Sequence, residues 1–115
     1  MNIRRKEVWL LDLDPTKGHE LKKTRPVVVV STDVVNKVPN FSLRIVVPLT
    51  SWQKKYDKGW FVRIKPNSKN GLNNTSAVDP FQIRSVSTLR FKKKLGKISD
   101  LEMSQIEHKL NFLLK

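Results

Sequence analysis

The sequence contains no cysteine, only two histidines, and 10 acidic residues against 23 lysines and arginines. Without cysteine the chain can form no disulfide, no thiol nucleophile and no CxxC zinc site. The histidines, His19 and His108, lie far apart in the sequence and belong to no metal-binding motif. We therefore expect no metal site and no other cofactor.

Long apolar runs are also missing. Near the basic N-terminus, only the stretch 8–11 is apolar before Asp12 interrupts it. A signal peptide needs about 7–15 apolar residues and a membrane-spanning helix about 20. The sequence therefore predicts a cytoplasmic protein without a membrane segment. Its 115 residues predict one domain over residues 1–115, because domains typically have about 100–200 residues.

The formal net charge is +13. Such an excess predicts an anionic partner, which is a nucleic acid, a membrane surface or an acidic protein. The basic residues lie between short β-like runs and not along one amphipathic helix, which argues against a membrane surface. A nucleic acid or an acidic protein is favoured, and a basic surface that only confers solubility is the alternative.

Short strands dominate the pattern of apolar residues. Val27–Val30 is a run of four β-branched residues, which is typical of a strand buried on both faces. Pro48 is predicted to end the third strand, and Asn70-Gly71 is a type I′ turn signal. The predicted strands cover residues 7–13, 27–30, 43–47, 60–64, 77–78, 82–86 and 95–98.

The C-terminal segment predicts a helix. Ser99 and Glu102 have the spacing of a capping box, in which each side chain accepts a hydrogen bond from the other residue's backbone N–H. The apolar residues that follow recur at spacings of three and four: Met103, Ile106, Leu110, Leu113 and Leu114. Short strands with frequent turns and one closing helix predict a mainly β (α+β) fold with a small barrel-like sheet.

The segment 14–26 brings carboxylates, His19 and Arg25 into one polar connection between two predicted strands. Loops held by a rigid sheet are where chemistry concentrates. A solvated loop in which Arg25 pairs with a nearby carboxylate is the alternative.

Five motifs together resemble the MazF/PemK (Kid) family of toxin endoribonucleases. They are EVWLLDLDPTKGHE (7–20), TRPVVVV (24–30), VPLTS (47–51), QIRSV (82–86) and LGKI (95–98). The resemblance covers nearly the whole chain in the family's order. It implies an SH3-like barrel of about six or seven strands with a C-terminal helix, a homodimer, and the toxin of a type II toxin–antitoxin system.

The resemblance also implies metal-independent, sequence-selective cleavage of single-stranded RNA and an acidic antitoxin partner. The 2′-OH would attack the adjacent phosphate and leave 2′,3′-cyclic phosphate and 5′-OH ends. Two alternatives stay open: a non-catalytic nucleic-acid-binding module of SH3-like fold, and a gyrase-directed toxin of the same fold.

By the family pattern, Arg25 and Thr50 match the catalytic arginine and threonine, and Glu20 matches an acidic residue beside them. The Arg25 guanidinium can bond two phosphate oxygens at once, and the Thr50 hydroxyl can donate a hydrogen bond to the phosphate. The general base is Glu20 or His19, whose reference pKa of about 6.5 suits that role better.

The loop 51–59 is the predicted substrate loop, because lysines and aromatic residues alternate there. Its rings either stack on bases or pack at the mouth of the barrel. The basic run 90–97 binds RNA, the antitoxin or only solvent. The predicted substrate-binding residues are Lys17, Thr24, Ser51, Trp52, Lys54, Lys55, Tyr56 and Gln82.

One position departs from the family pattern. Many relatives carry an acidic residue where Phe81 stands. In one branch of the family an arginine and an aspartate of this strand are assigned to catalysis, and Asp79 and Phe81 occupy the matching positions. That mechanism does not transfer, and Phe81 is predicted to fill the core in preference to stacking on a base.

Overall fold

The protein folds mainly into short β-strands, as a computed structural model that describes residues 2–12 and 24–115 shows. None of the helices in these ranges is long and apolar enough to cross a membrane. The strands are β1 (Glu7–Asp12), β2 (Thr24–Val29), β3 (Leu43–Ser51), β4 (Val62–Ile64), β5 (Ser76–Val78), β6 (Arg84–Ser87) and β7 (Phe91–Lys97). The helices are α1 (Asp33–Asn36) and α2 (Asp100–Leu114), with 3₁₀ turns at Lys54–Asp57, Pro80–Gln82 and Thr88–Arg90.

The strands form one antiparallel sheet in the order β4-β5-β3-β2-β1-β7, and β6 pairs with β3 beside this path. Within the described ranges no hydrogen-bonded pairing joins β4 to β7. The predicted mainly β fold with a C-terminal helix is confirmed, but the sheet is not closed into a barrel.

The strand β2 is buried on both faces, as its run of valines predicts. Val28 and Val30 pack into a core shared with α2. Val27 and Val29 pack into a second core around Trp9. A shift of one residue would exchange the two sets of side chains between faces, so the two cores hold β2 in a single register.

The strand β3 changes its partner along one edge. Leu43–Val46 pair with β6, and Leu49–Ser51 pair with β5. Pro48 lies between these two stretches, and its carbonyl accepts a hydrogen bond from the Asp79 backbone N–H at 3.0 Å. The N–H that a proline lacks is therefore not needed here, because neither β5 nor β6 pairs with β3 at this residue. The prediction that Pro48 ends the strand is wrong.

The helix α2 begins as predicted. The Ser99 hydroxyl accepts from the Glu102 N–H at 3.1 Å, and the Glu102 carboxylate accepts from the Ser99 N–H at 2.9 Å. Met103 and Ile106 are buried against the sheet. Leu114, which was predicted to belong to the same face, is 72% exposed, so the buried stripe ends before the last residue of the helix.

The loop after β4 packs directly on β7. A type I′ turn needs a positive φ at both central residues, but of this pair only Gly71 has one, at 68°. The Asn70 side chain is fully buried and bonds three backbone groups of the loop instead. A Cβ at Gly71 would lie 2.1 Å from the Leu95 carbonyl oxygen, and one at Gly96 would lie 2.2 Å from the Lys69 carbonyl oxygen. The loop can therefore pack this closely on β7 only because Gly71 and Gly96 have no side chain.

A buried carboxylate joins the N-terminal segment to β7. Glu7 accepts hydrogen bonds from the Arg4 N–H at 2.8 Å and from the Trp9 indole N–H at 3.0 Å. The Lys94 ammonium lies 2.8 Å from its other oxygen. Burial alone would raise the pKa of Glu7, but these donors, with Lys94 first among them, hold that pKa below its ordinary value.

Because the folded state lowers this pKa, ionised Glu7 stabilises the fold above its unfolded-state pKa. That stability is lost as the pH falls through the lower, folded-state pKa. We expect Glu7→Gln to reduce the free energy of unfolding at neutral pH by about 1–3 kcal/mol, through the lost charged bonds. The difference in free energy of unfolding between the variant and the unchanged protein should shrink in acid. Urea unfolding at a series of pH values from neutral to acid measures this difference.

Glu107→Gln is the matched control, because Glu107 pairs with Arg5 while its side chain is 53% exposed. An exposed pair contributes about 0–1 kcal/mol. Equal losses for both variants at every pH would contradict the role assigned to Glu7.

Candidate active site

A cavity of about 390 Å³ opens where β5 and β6 diverge from β3. Pro48 lies at this divergence and forms part of the wall. The divergence also brings residues distant in sequence to one place. The lining residues are Arg25, Val27, Val46, Pro48, Leu49, Thr50, Tyr56, Phe61, Asp79, Gln82 and Arg84.

Arg25 and Thr50 lie on neighbouring strands. The paired stretch of β2 and β3 runs from Val29↔Val46 to Val27↔Pro48, and Arg25 and Thr50 each lie two residues beyond its end. Both also line a second cavity of about 450 Å³. The two side chains therefore stand between two adjoining cavities.

The second cavity adds polar groups beside this pair. Its wall contains Ser51, one of the predicted substrate-binding residues, and the consecutive amides Asn73 and Asn74. Hydroxyl and amide groups both donate and accept hydrogen bonds. This cavity can therefore bind a polar group adjacent to one held at Arg25.

Sequence reasoning missed Arg84, which is exposed at the start of β6 and lines the first cavity together with Gln82. Its position two residues after Gln82 is the spacing of same-face residues in a strand, and this signal was available. Among the described residues that line the cavity, Asp79 is the only acid, against Arg25 and Arg84. The excess of positive charge suits an anion.

Asp79 acts as a structural support in the cavity wall. Its carboxylate accepts from the Trp60 indole N–H at 2.8 Å and from the Phe81 backbone N–H at 3.1 Å. The second bond caps the 3₁₀ turn Pro80–Gln82. Asp79 therefore fixes the orientation of one aromatic ring and the backbone position of another.

Five aromatic side chains form a continuous series beside the first cavity, which we call the aromatic row. Their ring centroids are separated successively by 6.2, 4.1, 5.5 and 5.2 Å. Two of its members, Tyr56 and Phe61, line the cavity directly. The row runs in the order Trp52, Tyr56, Phe61, Trp60 and Phe81.

Phe81 is 63% exposed at the end of the aromatic row, so the prediction that it fills the core is wrong. The 3₁₀ turn that Asp79 caps buries Pro80 and leaves the following ring in solvent. A strand had been predicted from residue 82, and this turn before β6 was not anticipated.

Four other predicted substrate residues line neither cavity. Trp52 is half-buried, and the Arg63 guanidinium lies 5.1 Å from its ring. The Lys55 ammonium lies 5.5 Å from the Tyr56 ring, and Lys54 is exposed on the same turn. Thr24 is exposed at the start of β2.

The remaining predicted residues cannot be placed on this site. Lys17, His19 and Glu20 lie outside the described residues. Within residues 2–12 and 24–115, no three acidic or histidine side chains are grouped closely enough to hold a metal ion. The lysines of the basic run lie on β7 and line neither cavity.

Comparison with known proteins places this small curled sheet in a defined class. The family model described as PemK-like, MazF-like toxin of type II toxin–antitoxin systems matches residues 4–114. The chain belongs to this family.

Two curated relatives align over nearly the whole chain. The endoribonuclease MazF9 of Mycobacterium tuberculosis is 35% identical, with 97% of this chain and 96% of the relative covered. The endoribonuclease PemK of Escherichia coli is 32% identical, with 98% and 83% covered. A solved endoribonuclease of Mycobacterial species, in complex with its cognate antitoxin, has the same fold: the TM-score is 0.76 at 22% identity, covering 97% of this chain and 94% of that one.

Proposed function

We propose that this protein is a toxin endoribonuclease that cuts single-stranded RNA in the cytoplasm without a metal ion or other cofactor. The observation that carries the proposal is the placement of Arg25 and Thr50 together in a positively charged cavity. The endoribonuclease relatives, 35% and 32% identical to this chain, support it.

The proposed reaction is an attack of the ribose 2′-OH on the adjacent phosphorus. The new O2′–P bond forms as the P–O5′ bond breaks, so the products carry a 2′,3′-cyclic phosphate and a 5′-OH. A base must remove the 2′-OH proton, and the leaving 5′ oxygen must gain one. The negative charge that develops on the phosphate oxygens must also be stabilised.

Arg25 is placed to stabilise this charge, because its guanidinium can bond two phosphate oxygens. A guanidinium is a poor proton donor in proteins, so the proposed role of Arg25 is electrostatic. Thr50, across the strand pair, donates its hydroxyl hydrogen to the same group. Arg84 supplies a second positive charge to the first cavity.

The general base is proposed to be Glu20 or His19. A glutamate has a reference pKa of about 4.3 and a histidine one of about 6.5. The pH dependence of kcat/KM therefore distinguishes them, because activity should rise through the pKa of the group that acts as base.

The aromatic row is proposed to receive bases that flank the scissile phosphate. Stacking on aromatic rings is how proteins bind the unpaired bases of single strands. Tyr56 and Phe61 begin this path inside the first cavity, and Phe81 continues it into solvent. This arrangement favours a single-stranded substrate over a duplex.

The partner protein is proposed to be an antitoxin with an acidic segment that competes with RNA. A net charge of +13 attracts either polyanion, and the charged cavity around Arg25 suits a carboxylate as well as a phosphate.

A homodimer is also proposed, through an apolar face of β3. Leu43 and Ile45 are 44% and 43% exposed, although they lie in the stretch of β3 that pairs with β6. They lie opposite Ser87 and Ser85 of β6. The face thus presents large apolar groups without a charged residue opposite them, and depletion of charge is typical of the core of a dimer contact.

Cleavage of single-stranded RNA in the presence of a chelator tests the central proposal. We expect cyclic-phosphate ends, a rate about 10²- to 10³-fold lower for Arg25→Ala, as for loss of a transition-state donor, and a smaller loss for Thr50→Ala. Polyglutamate added to the same assay should inhibit.

Arg5→Ala is the control for lost charge, because Arg5 pairs with Glu107 and lines neither cavity. No cleavage across varied sequences, or cleavage only with added metal, would contradict the proposal. Binding without cleavage would point to the non-catalytic module.

The aromatic row is tested by binding in an Arg25→Ala background, where the RNA stays intact. Phe81→Ala should weaken binding by about 5- to 150-fold, because a stacked base contributes about 1–3 kcal/mol. Fluorescence anisotropy of labelled RNA measures this. Phe112→Ala removes a comparably exposed ring, 69% exposed on α2, and should not change RNA binding. Equal losses of affinity for the two variants would contradict the proposal that the aromatic row binds bases.

The dimer is tested by sedimentation equilibrium. Ile45→Lys should shift the protein to monomer, because a charge would be buried in the contact without a partner. Leu101→Lys, at a residue 70% exposed on α2, should leave the dimer intact. A dimer that survives Ile45→Lys would show that another face forms the contact.

A further inference from the structure

A third cavity, of about 530 Å³, lies at the other end of β3 from Thr50. Among the residues that the structure describes, it shares no lining residue with the two cavities around Arg25. The described charged residues of its wall are Arg4, Lys37 and Arg44, and none of the described lining residues is acidic. Neither the proposed cleavage reaction nor the aromatic row uses it.

Arg44 is the buried part of this site, with 5% of its surface exposed. A buried guanidinium normally faces a carboxylate, but here the described acceptors are neutral carbonyls. They hold the side chain in one position without offsetting its charge. The acceptors are the backbone oxygens of Ile3, Asn36, Phe41 and Leu43, at 2.8–3.2 Å.

Arg4 adds a second guanidinium to the same wall. Its Nη1 is buried and has no acceptor among the described residues, while Nη2 has only a long contact, 3.4 Å, with the Asn2 side chain. Burial lowers the pKa of Arg44, and the Arg4 charge lowers it further. The two cations are therefore close enough to repel each other.

Asp33 is the acidic group that opposes this repulsion. Its Oδ1 already accepts from the Arg5 N–H at 2.8 Å and from the Asn36 side-chain amide at 2.9 Å. It does not line the cavity. One carboxylate therefore stands against the three positive charges of Arg4, Lys37 and Arg44.

We propose that this cavity binds a phosphate group. A phosphate would offset the two guanidinium charges and offer several acceptor oxygens to Arg4 and Lys37. Asn40 and Thr88, which also line the cavity, have hydrogen-bond donors suited to the remaining oxygens. The phosphate belongs either to a small phosphate compound or to the backbone of an RNA strand.

The test uses inorganic phosphate and isothermal titration calorimetry in an Arg25→Gln background, which removes the guanidinium of the candidate active site. We expect one binding site at millimolar phosphate or below. Arg4→Gln should weaken it tenfold or more, because it removes charged hydrogen bonds.

Lys37→Glu is the second variant, because Lys37 is exposed and its replacement leaves the core unchanged. It should also weaken phosphate binding, whereas Lys92→Glu, the same charge change on exposed β7, should have little effect. Absence of binding, or binding that neither Arg4→Gln nor Lys37→Glu weakens, would overturn the proposal.

A second arm identifies the source of the phosphate. If RNA supplies it, Lys37→Glu will weaken RNA binding, and Arg4→Gln will reduce the slope of log affinity against log salt by about 0.7, the value for one phosphate of a single strand. If both variants lose inorganic phosphate but bind RNA unchanged, the site belongs to a small phosphate compound. Because phosphate binding is measured without Arg25, its failure is separate from failure of RNA cleavage.

Discussion

A proline has no backbone N–H, and β3 accommodates Pro48 only because its edge has no paired strand at that point. The strand pairs with β6 before this residue and with β5 near its end. Two partners that leave the same edge must diverge, and their divergence opens the first cavity. The backbone constraint thus determines where a ligand can enter the sheet. It also brings Arg84, Gln82 and Asp79 to the side chains of β2 and β3.

The second constraint is the register of β2, which the two cores hold in place. Its valines alternate between a core shared with α2 and a core around Trp9. Since neither set of valines can move to the other face, packing in the two cores determines the position of Arg25 relative to Thr50. Arg25 itself is exposed, and Thr50 is partly exposed. Strongly apolar packing therefore positions a cation that has no described ion-pair partner of its own.

Sequence patterns predicted the elements that are determined by residues close together in the chain. The valine run identified β2, and the Ser99 and Glu102 spacing identified the start of α2. The partner exchange of β3 depends on residues far along the chain, so Pro48 was misjudged as a strand end. Phe81 was misplaced because a 3₁₀ turn, capped by Asp79, leaves an apolar side chain in solvent. The family resemblance identified Arg25 and Thr50. Arg84 carried only the weaker signal of its spacing from Gln82, and the fold shows that it lines the same cavity as Arg25.

Among the described strands, β7 lies at one end of the open sheet, and it carries the exposed residues Lys92 and Lys93. Further along this edge, the Lys97 N–H donates a hydrogen bond to the Lys69 carbonyl, so the loop after β4 covers the edge at that point. An uncovered strand edge is a template on which a second chain can add its own strand and begin an aggregate. Lysines along the stretch of this edge that no described strand pairs with oppose aggregation, because two such edges repel each other. Part of the basic charge thus opposes aggregation of the protein through the edge of its own sheet.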